Sequence, residues 1–340
     1  QGDALEGADL RRVPASATSN HRRDERFLHW VQADMAKDPV DGVIGFNKMP
    51  GLDVYYAADP CFLEKARTER GWLYRRGARY RHFAAWERAV FGPQSDTDIL
   101  LISDTERLKF EQHYHTRPER MHMLPPGVSQ DRRAPEDAPD RRRAMRASFG
   151  FEAQDLVLLF VGSGFVTKGL DRAIQTVANV RAEQPNVQLR LLVVGQDKPR
   201  RFKRLSKRLG VADRVNFLGG RDDIPDLMLG ADLLIHPALA EAAGIVLLEA
   251  IAAGLPVVVT DVCGYAHHVK AARAGFVLPA PFSQEQLDQA VMRNIDGVFR
   301  ADCRQSALLY ARLTDLYSMH ALGADLMLEL VRQKRERVDG

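Results

Sequence analysis

The chain has 340 residues, of which 45% are hydrophobic and 27% charged, and its formal net charge at pH 7 is only +3. That length is enough for two domains with a sizeable core each, and the composition is ordinary for a globular protein. Three widely spaced cysteines without a CxxC pair argue against a disulfide framework and a zinc site. No apolar run is long enough to span a bilayer.

Residues 1–130 predict a first domain whose secondary-structure pattern is incomplete. Pro125-Pro126-Gly127 ends this region, and the charged, proline-rich segment 131–146 predicts a linker after it. Apolar spacing predicts two helices and two strands in the domain, over 28–35, 40–46, 98–102 and 106–113.

Polar side chains follow the first predicted strand of this domain. Asn47 and Lys48 come directly after it, and we expect them to face a cleft. Asp59 ends the next apolar run and is a candidate base for an acceptor hydroxyl. Since Pro60 follows it, Asp59 is by itself more typical of a turn or a helix N-cap.

The segment 62–91 is both basic and aromatic, with eight Lys and Arg residues against three Glu. The mixture suits an interfacial segment on anionic lipid, a packed amphipathic helix with a solvated basic face or, less well, single-stranded nucleic acid. We favour the membrane. The predicted contact residues are Trp72, Tyr74, Arg75, Arg76, Arg79, Tyr80, Arg81 and Trp86.

The pattern between residues 147 and 315 is that of a doubly wound domain. Short apolar runs alternate with amphipathic segments, which predicts βαβ units and a parallel sheet covered on both faces. Glycines fall at the carboxyl ends of the runs, where such sheets bind ligands. The predicted strands are 156–161, 189–194, 215–218, 231–235 and 256–260, and 316–340 predicts a C-terminal helix.

A glycine-rich loop follows the first of these strands. Gly162 and Gly164 lie in it, and Lys168 is placed where an ammonium group can neutralise a leaving diphosphate. Because the loop lacks the GK[ST] ending, it is not a P-loop. Taken alone, it is also typical of a plain βα turn with a surface lysine.

A second glycine-rich run, Phe217 to Asp222, also follows a predicted strand. Its backbone suits a nucleotide base that lies against Gly219-Gly220, and Arg221 is a candidate ligand-binding residue. A simple turn between a strand and a helix explains the run equally well.

The run from Glu241 to Glu249 is the most informative part of the sequence. A small-residue turn and the start of an apolar helix lie between the two carboxylates. Amides at a helix N-terminus bind anions, whereas carboxylates hold sugar and ribose hydroxyls. The run therefore predicts a nucleotide-sugar site, with the diphosphate on the amides of Ala243, Gly244, Ile245 and Val246. A glycosidase-like acid pair is a weaker alternative.

These pieces together resemble a known family. The run 241–249 looks like the E-x7-E signature of retaining GT-B glycosyltransferases. Three narrower motifs resemble the bacterial lipopolysaccharide core glucosyltransferases that act on heptose I with α-1,3 linkage. They are GFNKMPGLDVYYAAD at 45–59, GQDKPR at 195–200 and CGYAH at 263–267.

The resemblance implies an α/β GT-B fold, with two Rossmann-like domains that face each other across a cleft. It implies UDP-glucose as donor, a lipid-anchored heptose-containing core as acceptor, and no metal or other cofactor. By analogy Glu241 binds glucose hydroxyls, Glu249 binds the ribose, Lys168 binds phosphate and Asp59 lies near the anomeric carbon. The enzyme is then expected to be cytoplasmic and peripheral on the anionic inner membrane, with no nucleic acid as partner.

The sequence departs from the family in two places. Many relatives have Arg where Ser163 stands, which leaves one cation fewer for the diphosphate. The family also opens with a strand and a Gly-Gly loop that this sequence does not contain, so we expect a first domain without its N-terminal strand and helix, and weak activity. Two alternatives stay open: a non-catalytic scaffold that binds membrane or lipopolysaccharide, and the same fold with another UDP-hexose.

Overall fold

The computed structural model describes residues 8–14 and 16–339, which form two compact units. The described residues of Gln1–Leu101, Glu106–Met123 and Gly323–Gly340 form the first unit. Those of Ile102–Thr105 and Leu124–Leu322 form the second.

The first unit is built on a four-stranded parallel sheet in the order β1-β2-β3-β4. Its core contains Tyr55, Phe91 and Phe110, and the rings of Phe91 and Phe110 stack with centroids 3.6 Å apart. The strands are β1 (Ile44–Gly45), β2 (Val54–Ala57), β3 (Asp98–Leu101) and β4 (Met121–Met123). The helices that precede or connect them are α1 (Asn20–Lys37), α2 (Phe62–Thr68), α3 (Ala78–Phe91) and α4 (Asp104–Tyr114).

The second unit contains a six-stranded parallel sheet with an apolar core on each face. Its strands are β5 (Leu156–Val161), β6 (Leu189–Val194), β7 (Val215–Gly219), β8 (Leu233–His236), β9 (Val257–Thr260) and β10 (Gly275–Leu278). Its helices are α5 (Ala138–Ser148), α6 (Leu170–Glu183), α7 (Arg200–Arg208), α8 (Ile224–Gly230), α9 (Ile245–Ala252), α10 (Ala266–Ala271), α11 (Gln284–Arg293) and α12 (Gly297–Leu313).

The strand order of the second sheet is β10-β9-β8-β5-β6-β7, so the winding reverses between β5 and β8. Open parallel sheets bind ligands outside the carboxyl ends of the strands at this switch point. The loops after β5 and β8 are therefore the expected location of a ligand-binding site.

The segment 131–146 differs from the predicted linker because most of it is α5, a helix of the second unit. Arg142 donates hydrogen bonds to the carbonyls of Leu229, Gly230 and Ala231 at 3.2, 3.0 and 2.7 Å. These bonds satisfy carbonyls at the end of α8, which otherwise have no helical partner. Arg142, which stands in the predicted linker, is thus a structural residue of the second unit.

The last helix, α13 (Met319–Asp339), was expected from the sequence and belongs in most of its length to the first unit. Lys334 attaches it there, since its Nζ donates to the carbonyl of Asp53 at 2.6 Å and lies 3.4 Å from Asp98 Oδ2. The first unit therefore combines this C-terminal segment with two segments that are distant from it in sequence.

Candidate active site

Two loops meet at the switch point of the second sheet. Leu239 donates its backbone N–H to the carbonyl of Thr167 at 2.7 Å, which ties the loop after β8 to the loop after β5. Gly169 has φ +71°, and a Cβ at this position would lie 2.1 Å from the carbonyl oxygen of Pro237. Both the backbone angle and the close approach require glycine.

The loop after β5 positions the side chain of Lys168. Gly162 has φ +133°, and a Cβ there would lie 2.8 Å from both Cδ and Cε of Lys168. The lysine stem passes where a larger residue would stand. Gly164 also has a positive φ, but open space surrounds it, so its contribution is to the turn itself.

Lys168, Glu241 and His236 form a compact polar cluster. The Lys168 ammonium is hydrogen-bonded to Glu241 Oε2, and His236 Nε2 lies 3.6 Å from the same oxygen. The His236 side chain is fully buried at the end of β8, and neither ring nitrogen has a hydrogen-bond partner among the described residues. A buried imidazole without a partner is costly in an ordinary core.

At neutral pH the Glu241 carboxyl is ionised and the His236 imidazole is neutral. Burial raises the pKa of the Glu241 carboxyl, but His236 and Lys168 outweigh it and bring that pKa to about 2. Burial lowers the pKa of His236, so the imidazole is neutral. The cluster therefore presents an ionised carboxylate, which accepts hydrogen bonds only, next to an ammonium group.

The N-terminus of α9 lies directly beyond Glu241. Gly244, with φ +83°, turns the chain into the helix, and Leu247 donates its N–H to the Gly244 carbonyl at 3.0 Å. Within the described chain, the amides of Ile245 and Val246 have no acceptor. Ile245 is 40% exposed, so the start of the helix is open to a ligand, and such amides together with the helix dipole favour an anion.

The segment after β9 supports this turn from behind. Gly264 donates to the carbonyl of Glu241 at 3.2 Å, and Tyr265 donates to that of Ala243 at 2.8 Å. A Cβ on Gly264 would lie 2.1 Å from the carbonyl oxygen of Ala242. The CGYAH motif noted in the sequence is thus the support of the 241–244 turn.

The second carboxylate of the run has a partner that the sequence analysis did not identify. Arg132 donates from Nε to Glu249 Oε1 at 3.1 Å, which leaves Oε2 for another donor. Both side chains are mostly buried, with 19% and 16% of their surface exposed. Arg132 stands in the segment predicted as a linker, so only its position in the fold connects it with Glu249.

A groove of about 610 Å³ lies beside the glycine loop, lined by residues 195–199 and 217–220 among others. A Cβ on Gly195 would lie 2.4 Å from the carbonyl oxygen of Gly162, so the groove and the lysine loop are in direct contact. Arg221, predicted as a ligand-binding residue, is exposed and forms a bidentate pair with Asp223 at 2.8 and 2.5 Å. It does not line the groove.

The first-domain candidates line a separate cavity of about 720 Å³ inside the first unit. Asn47, Lys48 and Asp59 contribute to it, together with Phe62 and Trp86. The Lys48 ammonium donates to the buried Glu87 at 2.6 Å and to the Pro60 carbonyl at 2.8 Å, so it also anchors its own loop. Asn47 and Asp59 are exposed.

The basic aromatic segment consists of α2, a 3₁₀ turn (Tyr74–Arg76) and α3. Tyr80 and Trp86 pack against the core of the first unit, whereas Trp72 and Leu73 are 56% and 65% exposed. The exposed basic residues of the predicted set are Arg75, Arg76, Arg79 and Arg81, and Tyr74 is partly buried. None of the helices in the described ranges combines the length and the apolarity needed to cross a bilayer.

The sequence and the fold are similar to those of known glycosyltransferases. The model of the family "Glycosyl transferases group 1" matches residues 141–307. The lipopolysaccharide glucosyltransferase WaaG of Escherichia coli (strain K12) is 46% identical over 328 residues, which cover 96% of this chain and 87% of the relative. A D-inositol 3-phosphate glycosyltransferase of Streptomyces scabiei is 33% identical over 53% of this chain and 42% of its own length.

Solved structures agree with this result. A crystal structure of WaaG, described as a glycosyltransferase involved in lipopolysaccharide biosynthesis, covers 96% of this chain with a TM-score of 0.91 and 46% identity, and 88% of that chain is matched. Anabaena Alr3699/HepE in complex with UDP-glucose has a TM-score of 0.66 over 81% of this chain and 72% of its own. At 22% identity, that likeness shows the fold alone.

Proposed function

This chain belongs to the group 1 glycosyl transferases, and we propose that it moves glucose from UDP-glucose to a heptose of the lipopolysaccharide inner core. The predicted GT-B fold class is confirmed by the two parallel sheets and the likeness to WaaG. The observation that carries the proposal is the pair of Lys168 and Glu241 beside the open N-terminus of α9. A cation, free amides and an ionised carboxylate together match a sugar diphosphate.

The diphosphate is assigned to the Lys168 ammonium and the amides of Ile245 and Val246. An ammonium group has three donors, and Glu241 uses one of them. The negative charge on the diphosphate grows as the bond to glucose breaks, and fixed donors that face it stabilise the transition state more than the ground state. This site needs no metal ion for that purpose.

Hydroxyl groups of the donor are assigned to the two carboxylates. Glu241 stays ionised because its pKa is about 2, so it accepts hydrogen bonds from glucose hydroxyls. Glu249 accepts from the ribose through the oxygen that Arg132 leaves free. Arg132 is therefore a positioning residue, since it fixes the orientation of Glu249.

Retention of configuration follows if the acceptor attacks on the face that UDP leaves. The C1–oxygen bond of the donor breaks with its electron pair on the β-phosphate. The acceptor oxygen bonds to C1, and its proton passes to that same phosphate oxygen. Asp59 is assigned to the acceptor side, where the cavity combines an exposed carboxylate with the aromatic rings of Phe62 and Trp86, which suit a sugar ring.

A transfer assay tests the proposal. We expect label from UDP-[14C]glucose to appear in a heptose-terminated core, faster than label from UDP-galactose or UDP-N-acetylglucosamine. Excess EDTA should leave the rate unchanged, because Lys168 and the amides supply the positive charge. If the chain neither hydrolyses UDP-glucose nor gains thermal stability from UDP, the scaffold alternative is correct.

We further propose that the exposed part of the basic aromatic segment binds anionic lipid. Its support is the exposure of Trp72 and Leu73 next to Arg75 and Arg76, with the Arg76 guanidinium 4.6 Å from the Trp72 ring centroid. Aromatic rings and arginines in this arrangement suit a membrane interface. A lipid-anchored acceptor would bring its sugar to the neighbouring cavity that Phe62 lines.

Charge reversal tests this contact. We expect R75E/R76E/R79E to lose binding to vesicles of phosphatidylglycerol in a sedimentation assay, because about 1 kcal/mol of attraction per basic residue is lost. The matched control is R201E/R204E/R208E on α7, where three exposed arginines of the second unit are reversed. Equal binding by both variants and the unmodified chain would refute the assignment.

A further inference from the structure

A second cavity of the second unit lies at the opposite end of α9 from the donor site. It measures about 590 Å³, and Ala252, the last residue of α9, lines it. The helix has eight residues, so its two ends are about 10 Å apart. No residue of the Lys168 cluster lines this cavity.

Four arginines line the cavity, and among the described residues no carboxylate does. Arg133 comes from the segment before α5, Arg142 from α5, and Arg304 and Arg312 from α12. The floor between them is apolar, with Leu308 and Ala311 on the same face of α12 as Arg304, because these residues are four and seven positions apart.

Two of the four arginines are committed to other groups. Arg142 holds the three carbonyls after α8 and pairs with Asp232 at 2.6 Å. Asp232 is also bonded to Arg146 at 3.0 Å, and it is almost fully buried. Arg133 lies over the ring of Tyr317 at 3.9 Å. The buried carboxylate of Asp232 thus already balances two arginines, Arg142 and Arg146.

Arg304 and Arg312 do not bind other groups of the protein in this way. In the described part of the chain, neither forms a hydrogen bond, an ion pair or a ring contact. Arg312 is exposed, so water satisfies it, but Arg304 is partly buried. Burial lowers the pKa of the Arg304 guanidinium, the charge of Arg142 lowers it further, and only Asp232 opposes them. A partly desolvated charge beside a like charge is unfavourable unless something of opposite charge is bound.

We infer that this arginine cavity is a binding site for a phosphate group carried by an organic molecule. Guanidinium groups match phosphate in charge and in paired hydrogen bonds. The apolar floor of Leu308 and Ala311 gives room for a non-polar portion next to the anion. A soluble phosphate ester and the headgroup of a phospholipid share this chemistry.

Calorimetric titration tests the site on the full chain. The probe is inorganic pyrophosphate without UDP, because UDP is itself an organic phosphate, and Lys168→Met identifies the part of the binding that belongs to the donor site. We expect Arg304→Gln to weaken pyrophosphate binding by about tenfold to a hundredfold, because one charge-assisted contact is lost. The matched control is Arg181→Gln, which removes an exposed arginine of the same unit that pairs with Asp213. The affinity of this control variant for pyrophosphate should be unchanged.

A stability readout distinguishes this site from a purely structural arginine. Since Arg304 is unpaired, Arg304→Gln should unfold at the same temperature as the unmodified chain or higher. If it fails to fold, Arg312→Gln replaces it, because Arg312 is exposed at the rim. Unchanged pyrophosphate affinity in the pocket variant, or equal loss in the control, would overturn the inference.

The source of the phosphate is a separate arm of the same experiment. A water-soluble short-chain phosphatidic acid is titrated in place of pyrophosphate. Tighter binding than pyrophosphate, lost in Arg304→Gln, identifies a lipid headgroup. Equal or weaker binding identifies a soluble phosphate ester. In either case donor-site activity has no bearing on the result, because the readout is binding and Lys168→Met accounts for the donor site.

Discussion

Lys168→Met is expected to lower kcat for glucose transfer by about a hundredfold to a thousandfold, the usual effect of removing one donor from a developing oxyanion. Methionine keeps the long stem that passes under Gly162 but removes the charge. The departing diphosphate then keeps only the α9 amides. Steady-state kinetics with UDP-glucose measure the change, and Lys270→Met, an exposed lysine of the same unit, is the control for loss of a positive charge.

The same substitution also removes the cation next to Glu241, so stability must be separated from catalysis. The double variant K168M/E241Q removes both charges and should regain much of the stability that K168M loses, since no buried carboxylate is left unpaired. It should not regain turnover. If K168M/E241Q were both stable and active, the assigned role of the lysine would be wrong.

The stability loss of K168M has a defined pH dependence. The pKa of Glu241 in the unmodified chain is about 2, below its ordinary 4.5. Stability gained from the ionised, paired carboxylate is therefore fully present above about pH 4.5 and disappears as the pH falls toward 2. Chemical denaturation should show the largest difference between K168M and the unmodified chain above pH 4.5 and almost none near pH 2.

Gly169→Ala is expected to have the largest effect on structure among the substitutions considered. The new Cβ would meet the Pro237 carbonyl oxygen at 2.1 Å, so one of the two switch-point loops must move. We expect a loss of about 3 kcal/mol in the free energy of unfolding. A shift of Lys168 by about 1 Å is enough to lower kcat/KM by about a hundredfold.

Gly210 provides a matched control for this substitution. It has φ +72°, almost the same as Gly169 at +71°, but a Cβ there meets nothing within 4 Å. Gly210→Ala therefore carries the backbone strain alone, about 1 kcal/mol, and should leave kcat/KM unchanged. If the two variants had equal stability and activity, the contact between the loops would not matter.

Most of the second unit followed from the sequence because its signals are local. Continuous apolar runs such as 156–161 and 189–194 appear as β5 and β6 with the same bounds. The carboxyl ends of β5 and β8 then place Lys168 and Glu241 at one edge of the sheet, as the glycine loops suggested. The E-x7-E run predicted the start of α9 because a helix N-terminus is itself a short-range feature.

The parts that were not predicted depend on contacts between distant residues. Strand β2 has only four residues, two of them Tyr, which is too few to show the alternation of apolar and polar residues that predicts a strand. It nevertheless lies inside the first sheet. Arg132 is 117 positions from Glu249 in the sequence. Its charged segment, which stands before a helix, predicts a linker and not a contact with Glu249. His236 ends an apolar strand, and nothing local marks its imidazole as unpaired.

Binding of UDP compared with uridine tests the central claim most directly. The claim is that Lys168 and the α9 amides hold the diphosphate, so the unmodified chain should bind UDP at least about a hundredfold more tightly than uridine. In Lys168→Met this ratio should fall by about tenfold or more while the affinity for uridine stays the same. An unchanged ratio of the two dissociation constants in Lys168→Met would contradict the account.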